Sequence, residues 1–405
     1  MRNEKIEIRK KFNKDMNNDV KKNILVVDDS ALMRRAICDI INASNEFEAS
    51  DTARDGLEAY EKIKSGSFAA VLLDINMPRM NGLELLQKLQ KENIRATVIV
   101  VSSLTTEDAK ITMQALEYGA IDFLTKPTNI IEAKGEHFRK ELTELVYSVL
   151  PRKKMKTSIT PASNIASAAK AAKAATANVA ALVAGAAAAN TSAAANTAAA
   201  PVKKLPCKGG AGSKKLVAIA SSTGGPRSLQ SVIPLLEKNM DAPVLLVQHM
   251  PSGFTRSMAE RLNELSRVEV REARDNDILK NGCVYVAPGG YHLEVVPVKG
   301  VGHKIHLSDA PPIGGLRPCA NVMYKSLKRS TYDQIICVVL TGMGADGTEG
   351  IRELNRVKPI YVIAQDEPTC VVYGMPKAVA EAGLVDEVVP LANIPKRILN
   401  QVGEG

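Results

Sequence analysis

The sequence contains no tryptophan, and aromatic residues make up only 4% of its 405 residues. Proteins that bind single-stranded nucleic acid stack bases on aromatic side chains, so this composition offers little for such a surface. The formal charge of +9 is nevertheless basic. Residues 1–22 carry +4 and residues 151–215 carry +11, which leaves −6 for the remainder. Because the positive excess lies in a tail and a linker, we expect no nucleic-acid partner.

The chain also lacks C-x-x-C spacings among its six cysteines, which disfavours a zinc or redox site. The first 15 residues are charged throughout and have no apolar stretch of the kind found in signal peptides. The longest apolar-looking run, residues 177–189, is mostly alanine and too short to span a membrane. We therefore expect a cytoplasmic monomer with reduced, mostly buried cysteines and no membrane insertion.

Composition changes sharply near residue 151 and again near residue 214. Between residues 161 and 200, 22 of 40 residues are alanine, and alanine methyl groups alone bury too little to define a packed face. We interpret residues 151–213 as a low-complexity, alanine-rich basic linker. The predicted organisation is a basic N-terminal extension (1–22), a first folded domain (23–150), the linker, and a second folded domain (214–405).

Both folded domains alternate short apolar segments with segments of helical periodicity. In the first domain the predicted strands are 24–27, 69–73, 97–101 and 121–124, and the predicted helices are 31–41, 83–89, 106–118 and 132–150. In the second domain the predicted strands are 216–220, 244–247 and 335–340, and the predicted helices are 226–236, 254–265 and one starting at 347. Residues 267–316 suggest a partly antiparallel insertion. Near-continuous apolar strands between helices predict two doubly wound parallel-sheet α/β domains, the second a Rossmann-like three-layer domain.

Polar residues follow four predicted strands of the first domain. Asp28 and Asp29 follow the first strand, and Asp74, Ser102 and Lys126 follow later ones. Sites in open parallel sheets form at the carboxyl ends of the strands, and clustered carboxylates bind a hard divalent cation such as Mg²⁺. Asp28 and Asp29 alone could simply cap the next helix, but five such residues at four strand ends favour phosphoryl chemistry on a carboxylate.

These residues, with the segments LDINMPRMNGLELL and GAIDFLTKP, resemble the response-regulator receiver domain, which has a flavodoxin-like fold. The resemblance implies phosphorylation of Asp74 by a histidine kinase. It also implies a Mg²⁺ site formed by Asp28, Asp29, Asp74 and the Asn76 backbone carbonyl. Ser102 and Lys126 would sense the phosphoryl group. Phe123 occupies the position of the family's switch aromatic, although on its own it would more simply be a core residue.

The segment LVAIASSTGGPRSL of the second domain reads as a strand, a Ser-Ser-Thr-Gly-Gly turn and a helix. Such a turn could expose a serine nucleophile, cradle a phosphate, or merely cap the helix. A serine nucleophile needs a base and an orienting acid. His249 follows the next strand, and Asp346 follows a third strand, although Asp346 could also be a helix cap. His292 lies in the irregular middle section.

The remaining histidines are poorer candidates for the base. His137 lies in the last helix of the first domain, whereas His303 and His306 lie in a predicted hairpin and are expected at the surface. Ser, His and Asp at three strand ends of one sheet therefore favour a catalytic triad.

The segments SSTGGP, QHMPSGFTRSMAERL, YVAPGGYH and LTGMGADGTEG resemble the catalytic domain of the chemotaxis methylesterases, the CheB family. The resemblance implies Ser222 as nucleophile with Ser221 as its rival, His249 as base, Asp346 as orienting acid and the Met343 N–H as oxyanion donor. The segment RPCANVMYKSL departs from the family's usual RPSVDVLF, because Cys319 and Asn321 replace Ser and Asp. This departure puts substrate contacts there in doubt and raises Cys319 as an alternative nucleophile.

The function implied by this resemblance is hydrolysis of glutamate methyl esters on chemotaxis receptors, with release of methanol, and deamidation of receptor glutamines. The esterase itself needs no cofactor. The alternative is a non-enzymatic two-component regulator whose second domain binds a partner when Asp74 is phosphorylated. We further expect the unphosphorylated receiver to cover the Ser222 edge of the catalytic sheet.

Overall fold

The structure is a computed structural model that describes residues 21–150 and 214–403. The predicted linker (151–213) and all but the last two residues of the predicted N-terminal extension (1–22) lie outside the described residues. The two described ranges belong to one compact unit. Each range contains its own parallel sheet, which confirms the prediction of two α/β domains.

The first domain alternates strands and helices as its apolar pattern predicts, and it also contains a strand at Phe47–Ala53 and a helix at Gly56–Ser65 that were not predicted. Its strands are β1 (Lys22–Val27), β2 (Phe47–Ala53), β3 (Ala70–Asp74), β4 (Val98–Ser102) and β5 (Asp122–Thr125). Its helices are α1 (Ala31–Asn42), α2 (Gly56–Ser65), α3 (Gly82–Lys91), α4 (Thr106–Glu117), α5 (Ile130–Ala133) and α6 (Glu136–Val149).

The sheet of this domain has the order β2-β1-β3-β4-β5, with every pair parallel. β3 and β4 are buried along their whole length, because helices cover both faces of the sheet. Asp74 pairs with Val101 and Ser102 pairs with Thr125, so these strands reach the same edge in register. The edge strand β5 is the one nearest the second domain, as described below.

The second domain carries the longer sheet. Its strands are β6 (Lys215–Ser221), β7 (Val244–Gln248), β8 (Glu269–Glu272), β9 (Cys283–Val286), β10 (His292–Val298), β11 (Gly302–Ser308), β12 (Gln334–Val339), β13 (Ile360–Gln365) and β14 (Glu387–Val389). Its α-helices are α7 (Gly225–Val232), α8 (Phe254–Leu265), α9 (Ala320–Ser326), α10 (Thr348–Asn355), α11 (Met375–Glu381) and α12 (Ile394–Val402).

Seven of these strands form a parallel sheet in the order β14-β13-β12-β6-β7-β9-β8. β10 and β11 form a separate antiparallel hairpin, as expected for the insertion at 267–316. The central strands β6, β7 and β12 are almost entirely buried. Ser221 pairs with Gln248, which brings the residues that follow β6 and β7 to the same edge.

Two predicted helices are wrong in their extent. The segment 132–150 does not form one helix: α5 ends at Ala133, and Gly135, with extended backbone, precedes α6. Glycine is unfavourable inside a helix, so the chain turns there instead. The predicted helix 226–236 ends at Val232 and continues as one 3₁₀ turn, because Pro234 cannot donate the helical hydrogen bond.

The predicted surface location of His303 is also wrong. His303 lies in the expected hairpin but is buried, with its ring stacked on Tyr332 at a centroid distance of 4.3 Å. The Thr331 N–H donates to its Nε2 over 2.9 Å. Alternation along β11 turns His303 inward and leaves His306 exposed. In the part of the chain that the structure describes, no helix is both long and apolar enough to cross a membrane.

Candidate functional sites at the two sheet edges

The first site is an acidic cluster at the carboxyl edge of the receiver-like sheet. One carboxylate oxygen from each of Asp28, Asp29 and Asp74 lies within 4.8 Å of the others. Lys126 Nζ lies 2.8 Å from Asp28 Oδ2 and 2.6 Å from Asp74 Oδ2. The sheet therefore brings together four of the residues selected from the sequence, with one lysine against three carboxylates.

The negative charge of the three carboxylates in this cluster exceeds the positive charge that Lys126 supplies. Burial raises the pKa of Asp74 to about 6, although Lys126 opposes the shift. Burial also raises the pKa of Asp28, again against the effect of Lys126. A hard divalent cation would supply the missing positive charge, and carboxylate oxygens are the ligands that Mg²⁺ prefers. The residues present therefore fit a Mg²⁺ ion.

Asn76 and Ser102 lie beside this cluster in different ways. The Asn76 side-chain NH₂ group donates to Asp108 over 2.7 Å, which anchors the side chain beside α4. Asp108 also accepts from Thr105 over 2.6 Å. Ser102 is buried at the end of β4, with its Oγ 2.7 Å from Thr112 Oγ1.

The second site lies at the carboxyl edge of the seven-stranded sheet. Ser222 directly follows β6, His249 directly follows β7, and the loop that contains Met343 and Asp346 follows β12. The Ser222 N–H donates to the Thr341 carbonyl over 3.1 Å, which ties the β6 and β12 loops together. The three predicted triad residues therefore lie at one edge, as strand-end reasoning expects.

Asp346 is held as a carboxylate. Burial disfavours its charge, but the hydrogen bond and charge of His249 and further backbone donors lower its pKa to about 2. Because Asp346 is then acceptor-only, His249 Nε2 carries the proton that it donates, and His249 Nδ1 is left as an acceptor. The donors to Asp346 are His249 Nε2 (2.8 Å), Ala320 N (2.6 Å), Asn321 N (3.0 Å), Gly347 N (2.9 Å) and Cys319 Sγ (3.2 Å).

The departures from the family pattern at Cys319 and Asn321 therefore lie behind the triad. Burial, followed by the charge of Asp346, raises the pKa of the Cys319 thiol to about 12. A nucleophilic cysteine needs a thiolate, so Cys319 is a thiol donor to Asp346 and a poor nucleophile. The Asn321 side chain accepts from the Gly350 N–H over 2.6 Å and fixes the start of α10.

Ser221, the rival nucleophile, is fully buried and donates to Gln248 Oε1 over 2.7 Å. Ser222 is partly exposed and lines a cavity of about 190 Å³ together with His249 and Met343. The geometry therefore favours Ser222 over Ser221. Among the described residues, however, no hydrogen bond joins the Ser222 hydroxyl to the His249 ring. Sequence reasoning did not select Gln248, because the hydrogen bonds of its side chain depend on the geometry of the loops.

The other histidines do not reach this cavity. His137 is exposed on α6 and lies 3.3 Å from Glu141. His292 is buried, and its Nε2 donates to the Pro311 carbonyl over 3.2 Å. His306 is exposed beside Asp275.

The receiver-like domain lines the same cavity through its edge strand β5. Asp122 and Phe123 both lie on the cavity wall. The Gly224 N–H donates to Asp122 Oδ2 over 3.1 Å, and the Phe123 ring stacks on Phe254 at a centroid distance of 4.5 Å. Burial raises the pKa of Asp122 to about 7, with only the N–H groups of Phe123 and Gly224 opposing it.

Charged residues on helices α4 and α8 join the two domains beside this strand. Arg261 donates to both carboxylate oxygens of Glu117, at 2.5 and 2.8 Å. Lys110 lies 3.8 Å from Glu260. Two neighbouring pairs of opposite charge therefore align α4 with α8.

Fold and edge residues together define a two-component response regulator with an α/β output domain. Residues 24–134 match the response regulator receiver domain family, and residues 217–398 match the family described as CheB methylesterase. The chain belongs to the CheB methylesterase family, as the sequence motifs predicted. Its similarity to characterised relatives extends over nearly the whole chain.

A protein-glutamate methylesterase/protein-glutamine glutaminase of Pyrococcus abyssi is 39% identical over 94% of this chain and 93% of its own length. The protein of the same name from Geobacillus kaustophilus is 40% identical over 94% of this chain and 99% of its own length. The crystal structure of the Thermotoga maritima CheB methylesterase catalytic domain is 43% identical, covering 47% of this chain and 100% of that one, with a TM-score of 0.45.

The protonated, buried state of Cys319 leads to a direct prediction. In the native protein at pH 8, iodoacetamide should modify Cys319 far more slowly than Cys38, because Cys319 is 1% exposed and has a pKa of about 12. Peptide mapping by mass spectrometry after timed labelling measures both sites. Labelling in urea is the control, and there the two rates should converge. Fast native labelling of Cys319 would contradict the assignment.

Proposed function

We propose that this chain is a phosphorylation-activated protein-glutamate methylesterase and protein-glutamine glutaminase that acts on chemotaxis receptors in the cytoplasm. The names of its relatives support the activity. The observation that carries the proposal is that His249 lines the same cavity as Ser222 and is paired with Asp346 over 2.8 Å. Its predicted partners are methylated chemoreceptors as substrate and a histidine kinase as phosphodonor.

In the proposed reaction, Ser222 Oγ attacks the ester carbonyl carbon while His249 Nδ1 takes its proton. Asp346, ionised because its pKa is about 2, stabilises the imidazolium through Nε2. The Met343 N–H would donate to the oxyanion of the tetrahedral intermediate. Methanol then leaves with the proton from His249, and an acyl-enzyme remains.

Deacylation uses the same groups in a second round. Water attacks the acyl carbonyl, and His249 again takes the proton and returns it to Ser222 Oγ. The products are the glutamate carboxylate and free Ser222. With a glutamine side chain the leaving group is ammonia instead of methanol, so one triad accounts for both activities.

The triad assignment predicts a sharp difference between the two adjacent serines. Ser222→Ala should reduce methanol release from methylated receptor membranes by about 10⁴–10⁶-fold, because the acyl-enzyme cannot form. Ser221→Ala should retain measurable turnover, since Ser221 is buried behind the site. Thermal unfolding of each variant verifies that the fold is intact. Undiminished methanol release by Ser222→Ala would overturn the assignment.

The receiver site is proposed to accept a phosphoryl group on Asp74. Asp28, Asp29, Asp74 and the Asn76 backbone carbonyl would hold Mg²⁺, which would neutralise charge on the incoming phosphoryl oxygens. Lys126, now paired with Asp28 and Asp74, is placed to contact the phosphoryl group, and Ser102 would donate its hydroxyl.

Removing the acceptor carboxylate tests this site independently of the esterase. Asp74→Asn should incorporate no label from a ³²P-phosphorylated histidine kinase and should lose activation by a small phosphodonor, because an amide is not a nucleophile for phosphoryl transfer. Asp51→Asn, a change on the same domain away from the cluster, is the control and should incorporate label normally. Label retained by Asp74→Asn would move the phosphorylation site elsewhere.

Control of the esterase is proposed to be steric. The strand β5 residues Asp122 and Phe123 line the Ser222 cavity, and in this proposal the docked receiver hinders a receptor helix from reaching it. Phosphorylation would favour the undocked state, and a small free-energy difference is enough for a large change in activity.

The Glu117–Arg261 pair allows a charge-swap test of this control. Arg261→Glu removes the partner of Glu117 and Glu264, places a third carboxylate beside them, and should raise basal activity of the unphosphorylated chain by about tenfold, which corresponds to ~1.4 kcal/mol of lost docking energy. The double variant Glu117→Arg/Arg261→Glu restores the attraction and should return activity towards the original level. Methanol release without phosphodonor measures both. Equal activity of the single and double variants would exclude inhibition by this docked arrangement.

A further inference from the structure

The glutamine that ends strand β7 has its side chain buried beside the residues that follow β6 and β7. Gln248 is only 2% exposed. A buried carboxamide costs free energy unless its donors and acceptor are paired, and here they are. Its Oε1 accepts from the Ser221 hydroxyl over 2.7 Å. Its Nε2 donates to the carbonyls of Ser222 over 3.0 Å and of His249 over 3.1 Å.

We propose that Gln248 is the positioning residue that holds the backbone of the nucleophile and the backbone of the base in one fixed geometry, with the Ser221 hydroxyl satisfying its amide oxygen. This inference rests on the proposed roles of Ser222 and His249. Gln248 borders the cavity, but its polar atoms are engaged by Ser221, Ser222 and His249, so it acts through the two residues whose carbonyls it bridges.

The strand pairing of the sheet does not reach Ser222 and His249, because the pairing of β6 with β7 ends one residue before each of them. The register between β6 and β7 ends at Ser221 and Gln248, and the last bond between these two segments is His249 N–H to the Ser221 carbonyl, 3.1 Å. Ser222 and His249 lie just beyond, where each chain leaves the sheet. The two hydrogen bonds donated by Gln248 Nε2 reach the carbonyls of Ser222 and His249, so they hold the residue that follows the end of each strand.

The two backbone carbonyls determine which way the amide points, because a carbonyl only accepts and must therefore face the NH₂ group. The Ser221 hydroxyl, which can donate, then satisfies Oε1 on the other side. Ser221 therefore has a role although it is not the nucleophile. The adjacent turn also makes room for the amide, because a Cβ at Gly225 would clash with Gln248 Oε1.

The experiment compares Gln248→Met and Gln248→Glu with the original chain, in full length and activated by a small phosphodonor. Met keeps the volume without hydrogen bonds, and Glu places an acceptor against two carbonyls. Both should lower kcat for methanol release by about 10²-fold, the effect of misplacing reacting groups by about 1 Å, with KM changed less than about twofold. The matched control is Gln334→Met. Gln334 is a buried glutamine at the start of β12, the end of this strand that lies away from the catalytic edge, so its substitution should leave kcat unchanged.

Three further measurements separate positioning from a general loss of structure. Label incorporation at Asp74 reports that the receiver is intact, and thermal unfolding reports the fold. Ser221→Ala should lower kcat by about tenfold, and the double variant Ser221→Ala/Gln248→Met should be no slower than Gln248→Met alone, because both changes break one unit. If the Gln248 variants fail to fold, Ser221→Ala alone carries the test.

The outcomes distinguish this inference from the function on which it rests. If Ser222→Ala abolishes methanol release but Gln248→Met and Ser221→Ala keep normal kcat, the positioning role is wrong and the triad stands. Fully additive losses in the double variant would also overturn it. If Ser222→Ala itself keeps methanol release, the proposed nucleophile is wrong whatever the Gln248 variants do.

Discussion

Every functional side chain of this protein depends on one constraint, namely that parallel strands end together at the carboxyl edge of a sheet. Most of these strands are buried and apolar up to that edge, and polar residues stand at the last strand position or directly after it, as Asp74 and Ser222 do. In the first sheet this places Asp28, Asp74 and Lys126 within hydrogen-bond distance. In the second it places Ser222, His249 and Asp346 at one edge. Convergence of the strand ends brings these residues to the same edge, and hydrogen bonds beyond the sheet, such as those to Asp346 in the loop after β12, fix their final positions.

The carboxyl edges of the two sheets differ in how the charge of their buried carboxylates is balanced. At the receiver edge, burial and then the charge of Asp28 raise the pKa of Asp74 to about 6 against the effect of Lys126, and the cluster suits an added cation. The catalytic edge surrounds Asp346 with donors, so its pKa falls to about 2 and its charge is fixed. An under-compensated carboxylate suits a site that binds an ion and a phosphoryl group. A carboxylate whose charge is balanced by hydrogen-bond donors stays ionised and can serve as a permanent partner of an imidazole.

The strand-end reasoning found these residues from sequence because apolar runs and the polar residues after them are local features. Ser222, His249 and Asp346 are far apart in the sequence. Their meeting follows from the topology of a parallel sheet, because all its strands end at the same edge. The pairing of Cys319 with Asp346 could not be predicted, because it joins residues 27 apart through a loop whose path only packing determines. The burial of His303 was missed for a similar reason: its hairpin was recognised, but which face Tyr332 covers is a tertiary property. The interruption at Gly135 was overlooked because the flanking periodicity is helical.

The contact between the domains combines favourable and unfavourable terms, which suits a reversible inhibitor. The Glu117–Arg261 pair and the Phe123–Phe254 stack favour docking. Asp122 opposes it, since its carboxylate is buried against backbone N–H groups without a cation and its pKa rises to about 7. A raised pKa means that docking disfavours the ionised form, so this contribution weakens docking as pH rises from the ordinary value of 3.8 towards 7. A buried arginine opposite Asp122 would have made the interface stronger but harder to release. Release of the receiver by phosphorylation, as proposed above, would recover the free energy that burying the Asp122 carboxylate costs.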